Sequence, residues 1–211
     1  MEVKQNNLIK SLRIQPIIIV IRLENNFFNI PSKKDELFLK IENLSNIGIK
    51  HIEIAWDSNP EWVNLISDVK DKFKFINLGV ASIKSERALE SIISLNLNYS
   101  MSPFFKKEIH LKAIKINQLV IPGISNIENY KEAIEMGYKI LKIFPAKKLG
   151  INFLNKLKDV KKNNIFFIGA GGIKSKNLKI LLKNEYNAIA IGRELKNQIP
   201  DKDLMNWLKE Y

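Results

Sequence analysis

One lysine of this chain stands inside an otherwise apolar run. Lys142 lies in Ile140-Leu141-Lys142-Ile143-Phe144, where the alternation of a β-strand places Ile140, Lys142 and Phe144 on one face. If that face lines a closed interior, loss of water lowers the pKa of the amine and makes the neutral form available. A neutral amine can attack a ketone to form a Schiff base. The alternative is a lysine near the strand end that reaches out to solvent.

A carboxylate stands in a second run of the same kind. In His51-Ile52-Glu53-Ile54-Ala55, alternation puts His51, Glu53 and Ala55 on one face. A carboxylate in such a place needs a cation or a hydrogen-bond donor. Glu53 could act as a general acid and base beside the amine, or it could form a structural ion pair, with Lys142 itself as the partner. His51 is interpreted as a core histidine.

A glycine-rich segment follows a third apolar run. Gly169-Ala170-Gly171-Gly172 precedes a helical pattern, and glycines let backbone N–H groups approach an anion closely. Arg193, after the last apolar run, could add a charge-assisted contact. The alternatives are a plain turn and an ordinary surface arginine.

Eight short runs rich in β-branched residues predict the strands that would position these groups. Their nearly continuous apolar character is typical of parallel strands that are buried on both faces. The predicted strands are Ile17–Arg22, His51–Ala55, Lys74–Leu78, Asn98–Ser102, Gln118–Ile121, Ile140–Phe144, Ile165–Ile168 and Ala188–Ile191.

Amphipathic patterns follow each of these strands. Apolar residues recur at spacings of three and four, as at Leu37, Ile41 and Leu44, which is typical of helices packed on one face. The predicted helices are Asp35–Asn46, Glu61–Asp71, Ser85–Leu95, Phe105–Ile116, Ile127–Met136, Asn152–Val160, Ser175–Lys183 and Asp201–Glu210.

Eight strand–helix units in 211 residues predict an α/β fold, a single (β/α)8 TIM barrel. An open doubly wound sheet is the alternative, but it usually carries a glycine-rich turn after its first strand, where this chain has Leu23-Glu24-Asn25-Asn26. No linker is visible, so residues 1–211 are predicted to form one domain, with residues 1–14 as an N-terminal extension or helix. The active site of such a barrel lies at the C-terminal ends of its strands.

Composition narrows the possible functions. The chain has no cysteine and only 2 histidines, which excludes thiol nucleophiles and thiolate metal sites and disfavours histidine-based ones. Its net charge of +12 comes from lysines spread along the whole chain, and no nucleic-acid-binding motif is visible, so no nucleic-acid partner is predicted. No apolar run could span a membrane and no signal peptide is visible, so we expect a cytoplasmic protein without a membrane partner.

Taken in order, these segments resemble the 2-keto-3-deoxy-6-phosphogluconate / 4-hydroxy-2-oxoglutarate aldolases, class I enzymes on a (β/α)8 barrel. The similarity runs from about Ile17 to Leu195. The most specific segment is Leu141–Ala146, which looks like the family's K-x-F-P-[AG] segment around its Schiff-base lysine. The other matching segments are Pro16–Arg22, Ile52–Ile54, Ser102-Pro103, Ile121–Ser125 and Gly171–Ile173.

The resemblance implies cleavage of a 2-oxo acid to pyruvate and an aldehyde, with Lys142 forming the Schiff base and Glu53 moving protons. No metal or cofactor is expected, because the iminium replaces a Lewis acid. An anionic small molecule is the expected partner, and a homotrimer is expected because the family is commonly trimeric. The implied substrate-binding residues are Arg22 and Ser82 for the carboxylate, Phe144 and Pro103 as the pocket wall, and Gly171, Gly172 and Arg193 for a distal phosphate.

The chain departs from the family pattern at positions that would hold anions. A common threonine and a common arginine of the second strand are Ala55 and Asp57, and the usual G-A-G-T is Gly79-Val80-Ala81-Ser82. Ala170 stands where the phosphate loop usually has a hydroxyl, and Arg193 replaces a usual serine. The sequence therefore predicts the reaction type and leaves open which keto acid is used and whether a phosphate is required.

Three other hypotheses fit parts of the pattern. Another phosphosugar-binding barrel enzyme would use the same loops without a Schiff base. A non-catalytic barrel with an altered pocket would bind the ligand without releasing an aldehyde. A nucleic-acid binder driven by the charge of +12 would bind with an affinity that falls steeply with salt.

Overall fold

The computed structural model describes residues 1–159, 164–184, 186–193 and 200–210. Two predicted boundaries, Val160 at the end of a helix and Leu195 at the end of the family resemblance, lie outside the described residues. Within them, parallel strands form a single sheet that curls into a nearly closed barrel surrounded by helices. The predicted α/β barrel is therefore confirmed.

The strands and helices alternate along the chain. The strands are β1 (Ile17–Ile21), β2 (His51–Ala55), β3 (Asn77–Ala81), β4 (Tyr99–Met101), β5 (Val120–Ile121), β6 (Gly123–Ile124), β7 (Ile140–Ile143), β8 (Phe166–Ala170) and β9 (Ala188–Ile191). The helices are α1 (Glu2–Ile14), α2 (Ser32–Asn46), α3 (Trp62–Lys72), α4 (Glu86–Ile93), α5 (Lys107–Lys115), α6 (Ile127–Glu135), α7 (Ala146–Asp159), α8 (Leu178–Asn184) and α9 (Lys202–Glu210).

The barrel closes through an interrupted strand. The hydrogen-bonded order is β5-β4-β3-β2-β1-β9-β8-β7-β6, so β5 and β6 stand at its two ends. These two segments are consecutive in the chain and are separated only by Pro122, which has no N–H to donate to a ladder. Its carbonyl still accepts a bond of 3.0 Å from the N–H of Lys142. The fifth strand, predicted at Gln118–Ile121, begins later, at Val120, and continues beyond Pro122 as β6, so the eight strand positions of the barrel are kept.

The strands are buried on both faces, as their apolar character predicts. All five residues of β2 are buried, so one set packs inside the barrel and the other packs under the helices. Helix α2 covers the sheet with Leu37, Ile41 and Leu44, which are the residues whose spacing indicated a helix. The polar groups of β2 therefore lie inside the protein and are not on its surface.

Helix α1 covers the N-terminal end of the barrel. The side chains of Leu8 and Leu12 on this helix are buried. The side chain of Gln5 donates to Gly137 O at 3.0 Å and accepts from Lys139 N at 2.7 Å. At the start of β2, His51 Nε2 lies 3.1 Å from Ser11 Oγ of the same helix. With this end covered by α1, a cavity can open at the opposite end, where the strands finish.

Two predicted elements were misplaced. The third strand was expected at Lys74–Leu78 but lies at Asn77–Ala81, and Phe75 is 67% exposed. The alternation around Phe75 belongs to a turn, in which Ile76 N–H bonds to Phe73 O, and pairing with β2 begins only at Asn77. The sixth predicted helix starts earlier, at Ala146, and bends at Gly150, whose φ of 66° is left-handed.

In the part of the chain that the structure describes, no helix combines the length and the apolar character that crossing a membrane requires.

Candidate active site

A cavity of about 510 Å³ opens at the C-terminal ends of the strands. It brings together side chains and loops from almost the whole barrel. Every residue predicted for the site lines it: Arg22, Glu53, Ser82, Pro103, Lys142, Phe144, Gly171, Gly172 and Arg193. Sequence reasoning missed further lining residues, among them Val20, Met101, Lys147, Lys148 and Ala190.

Lys142 lies at the floor of this cavity on the inward face of β7. Its residue is only 7% exposed, and its Nζ lies 5.4 Å from the centroid of the Phe144 ring. Burial lowers the pKa of the amine to about 8, against the opposing effect of the negative charge of Glu53. The neutral amine, which is the form that can attack a carbonyl, is therefore much more populated near physiological pH than in an exposed lysine.

Glu53 reaches the same floor from β2 and is 1% exposed. Burial raises the pKa of its carboxyl to about 7, while the charges of Lys142 and Arg22 pull it down. Its Oε1 is buried without a hydrogen-bond partner, and no ion pair within 4.0 Å joins the carboxylate to Lys142. The two groups share one electrostatic environment without being locked together, so the structure lacks the tight ion pair that the alternative interpretation required.

Arg22 and Ser82 stand together beside this pair. Arg22 Nη1 donates to Ser82 Oγ over 3.3 Å. Partial burial lowers the pKa of Arg22, and the charge of Arg193 lowers it further, so two guanidinium groups face one region of the cavity. Ser82 has a φ of 69°, a left-handed conformation that costs energy for a serine and that aims its hydroxyl at Arg22.

The distal end of the cavity is built from backbone. Gly171 and Gly172 have φ values of 90° and 76°, and a Cβ at Gly171 would lie 2.8 Å from the Phe144 ring. A Cβ at Gly172 would lie equally close, 2.8 Å, to the Cβ of Lys147. The Lys147 N–H donates to Gly171 O at 3.1 Å, and this bond joins the first turn of α7 to the glycine segment after β8. Only glycine fits both positions, and this leaves the backbone open to the cavity.

Three cationic side chains surround these glycines. Lys147, Lys148 and Arg193 all line the cavity and are exposed at its rim. The sequence did carry a signal for the two lysines, because they directly follow the Lys142–Ala146 segment at the end of a predicted strand. A rim of this charge can hold an anionic group through charge-assisted hydrogen bonds.

Two residues near the predicted site lie outside the cavity lining. Asp57, which stands where the family commonly has an arginine, accepts a bond of 2.8 Å from Asn59 N and shapes a turn. Ser102 is buried behind the wall, where its Oγ lies 3.2 Å from His110 Nε2 and accepts from Gly123 N at 3.3 Å. These contacts hold the interrupted strand in place.

The chain matches a protein-family model described as KDPG and KHG aldolase over residues 8–206. It belongs to this aldolase family. The predicted family is therefore confirmed, and the match covers all the strands of the barrel.

Individual relatives of this aldolase-family chain are distant. The 2-dehydro-3-deoxy-6-phosphogalactonate aldolase of Escherichia coli K12 is 24% identical over 145 residues, which cover 68% of this chain and 70% of that protein. The thiamine-phosphate synthase of Prochlorococcus marinus AS9601 is 27% identical over 204 residues, which cover 89% of this chain but 56% of that protein.

A solved structure shows that the fold is shared. A KDPG aldolase from Legionella pneumophila, captured with pyruvate at low pH as a covalent carbinolamine intermediate, superimposes with a TM-score of 0.74. The two chains are 21% identical, with 92% of this chain and 91% of that one covered.

Proposed function

We propose that this chain is a class I aldolase that cleaves a 2-keto-3-deoxy-6-phospho sugar acid, or a related 4-hydroxy-2-oxo acid, into pyruvate and an aldehyde. The observation that carries the proposal is the pair on the cavity floor. Lys142 and Glu53 are buried together without an ion pair, and burial moves their pKa values towards neutrality from opposite sides. Paired groups of this kind are typical of acid–base sites. Family membership and the E. coli relative, an aldolase for a phosphorylated keto sugar acid, support the same reaction class.

Schiff-base formation is the first step. The neutral amine of Lys142 attacks C2 of the keto acid and forms a carbinolamine. Glu53 transfers protons, the C2 hydroxyl leaves as water, and a protonated imine remains on Lys142. The pyruvate carbinolamine captured in the Legionella aldolase is the corresponding intermediate of that enzyme.

Carbon–carbon cleavage follows from the charge of the iminium. The carboxylate of Glu53 takes the proton of the C4 hydroxyl, the C3–C4 bond breaks, and its electron pair moves into the iminium to give an enamine. The new aldehyde leaves. Protonation at C3 and hydrolysis by one water then release pyruvate and return the amine of Lys142. Each proton that Glu53 accepts is returned within the cycle.

The two anionic ends of the substrate would be held by different residues of the cavity lining. Arg22, with Ser82 as its hydrogen-bond partner, would hold the carboxylate next to the reacting carbon. Gly171, Gly172 and Arg193 would hold the distal phosphate, and we add Lys147 and Lys148 to this set because they line the same end. Phe144 and Pro103 would form the apolar wall between the two anion sites.

Reductive trapping tests this proposal. Pyruvate and borohydride should add covalent mass to the protein, and peptide mapping should place that mass on Lys142. Lys142→Met should show no adduct, and Lys147→Met is the matched control because it removes a lysine from the same cavity and leaves the floor intact. No adduct in the folded wild-type protein would overturn the proposal.

Another phosphosugar-binding barrel enzyme is the second candidate. It is favoured by the similarity to a thiamine-phosphate synthase, which extends over 89% of this chain. This candidate predicts binding of phosphorylated ligands without trapping at Lys142. A non-catalytic barrel would bind a keto acid without releasing an aldehyde. The homotrimer, the cytoplasmic location and the lack of a metal remain predictions.

A further inference from the structure

Tyr99 lies at the same level of the barrel as Glu53. In the parallel ladders, Glu53 of β2 is paired with Gly79 of β3, and Gly79 is paired with Tyr99 of β4. Side chains at one level of adjacent parallel strands point to the same face. Glu53 points into the barrel, so Gly79 and Tyr99 face the interior at the same height.

Gly79 provides the space for the tyrosine ring. A Cβ at Gly79 would lie 2.5 Å from Cζ and 2.9 Å from Oη of Tyr99. The ring therefore lies across β3, over the missing side chain, and its hydroxyl points from β4 towards β2. Any other residue at position 79 would force the ring away from Glu53. The position of the ring depends on Gly79 and Tyr99 together, and the sequence around either residue did not indicate it.

The hydroxyl of Tyr99 and the carboxylate of Glu53 each have a buried oxygen without a hydrogen-bond partner. Tyr99 is 0% exposed, and its Oη has no hydrogen-bond partner, like Oε1 of Glu53. Burial raises the pKa of the phenol well above its usual range and the charge of Glu53 raises it further, so the hydroxyl keeps its proton. A buried carboxylate is costly to ionise unless such a donor reaches it. Tyr99 Oη and Glu53 Oε1 are therefore two buried atoms without partners, a donor and an acceptor, at one level of the barrel.

We propose that Tyr99 is a positioning residue for Glu53: its hydroxyl donates to Oε1 when the carboxylate is ionised and holds the other oxygen towards the cavity. The proposal rests on the aldolase function proposed above and names a residue that acts through Glu53. Tyr99 is closed off below the floor and does not contact substrate. Its role is to favour the ionised carboxylate at the moment when the C4 hydroxyl must lose its proton.

The other side chains near Glu53 are charged, have other partners or lack a donor. Arg22 at the end of β1 is bonded to Ser82, and Lys142 from β7 carries the substrate. His51, two residues earlier on β2, is held at Ser11, and burial lowers its pKa to about 4, so it is neutral in the working range. The flanking positions on β1 and β3 are Val20 and Gly79, which offer no side-chain donor. Among the residues level with Glu53 on β1, β3 and β4, Tyr99 is the one that offers an unpartnered neutral donor.

The test compares Tyr99→Phe with Tyr138→Phe. Tyr138 is the matched control because its hydroxyl is also buried without a partner, and its ring packs against His110, away from the cavity. In Tyr99→Phe, the acid limb of the kcat profile should move up by about one pH unit, which lowers kcat about tenfold on that side. Tyr138→Phe should leave the profile in place. Phenylalanine fills the same space, so the barrel should fold.

A second measurement needs no turnover. The infrared band of the protonated Glu53 carboxyl, identified by its loss in Glu53→Gln, should titrate about one pH unit higher in Tyr99→Phe than in the wild type. An unchanged titration overturns the role of Tyr99, and so does an equal kcat loss from Tyr99→Phe in the Glu53→Gln background. Pyruvate trapping on the wild type separates the two ideas. If the wild type forms the pyruvate adduct but the titration of Glu53 is unchanged in Tyr99→Phe, only the Tyr99 proposal fails. If the wild type forms no adduct, the proposed aldolase function fails.

Discussion

The two ends of the cavity are built by different means. The floor carries Lys142 and Glu53 on strands, where ladder hydrogen bonds fix the backbone and burial shifts both pKa values. The rim carries exposed cations around Gly171 and Gly172, which have left-handed backbone: Lys147 and Lys148 in the first turn of α7, and Arg193 after β9. Of the chain's departures from the family pattern, Arg193 falls at the rim, whereas Ala170 is the buried last residue of β8, next to Gly171. The comparison shows that the two floor groups are fixed by strand backbone and shielded from water, while the rim cations lie outside the strands and are open to solvent.

Removing the floor amine should produce the largest effect. Lys142→Met should lower kcat/KM by at least about 10⁴-fold, because it removes the buried amine on which the proposed Schiff base forms. Pyruvate release from a panel of 2-keto-3-deoxy and 4-hydroxy-2-oxo acids measures this loss. Lys147→Met, at the rim, should keep most of kcat. Comparable kcat losses in the two variants would break the division between floor and rim.

Removing the floor carboxylate should come next. Glu53→Gln keeps the shape of the side chain but cannot take a proton, so kcat should fall about 10²- to 10³-fold while KM changes much less. Steady-state kinetics on the best substrate of the panel would show this split. An unchanged kcat would mean that Glu53 is structural.

The burial of Glu53 should also be visible in stability. Its pKa is about 7 in the folded chain and near 4.5 when unfolded, so the folded state binds this proton more tightly. The contribution of Glu53 to stability is therefore greatest below pH 4.5 and falls as the pH rises through about 7, by about 3 kcal/mol in all. Burial lowers the pKa of His51 and His110 to about 4, and their contribution changes in the opposite sense over much of this range. Urea unfolding of the wild type and of Glu53→Gln at several pH values should therefore show the Glu53 contribution as the difference between the two proteins. A difference that does not change with pH would contradict this prediction.

The rim should give the smallest and most selective effect. Arg193→Ala removes one charge-assisted contact, so KM for a phosphorylated keto acid should rise about tenfold while kcat stays the same. The KM for a keto acid of the same chain length without phosphate should not change. An equal rise for both substrates would mean that Arg193 serves the carboxylate end, next to Arg22, or the fold.

Much of the site could be predicted because its chemistry lies on strands with a period of two. The alternation around Lys142 and Glu53 showed which residues share a face, and the family resemblance implied that these faces are inward. Every residue assigned to the pocket lines it. The two lysines in the first turn of α7 escaped this reasoning. Lys147 and Lys148 follow a strand end, but nothing in a lysine pair says whether it faces a cavity or solvent.

Strand boundaries were less predictable where two patterns compete. The run at Lys74–Leu78 alternates like a strand, yet pairing with β2 starts at Asn77 because Lys50 O bonds to its N–H. Pro122 divides the fifth strand because proline cannot donate to a ladder. In both cases the partner strand, and not the local pattern, decides where the ladder begins and ends.

The sequence by itself determined the residue types, the faces on which they lie and the α/β order of the elements, because these follow from local periodicity. Only the tertiary structure decided how the faces meet. That Glu53 and Lys142 share one floor without an ion pair, and that the Tyr99 ring lies over Gly79, depends on the register around a closed barrel. Strand register brings together residues that are far apart in the chain, so a local sequence pattern cannot show that they are neighbours.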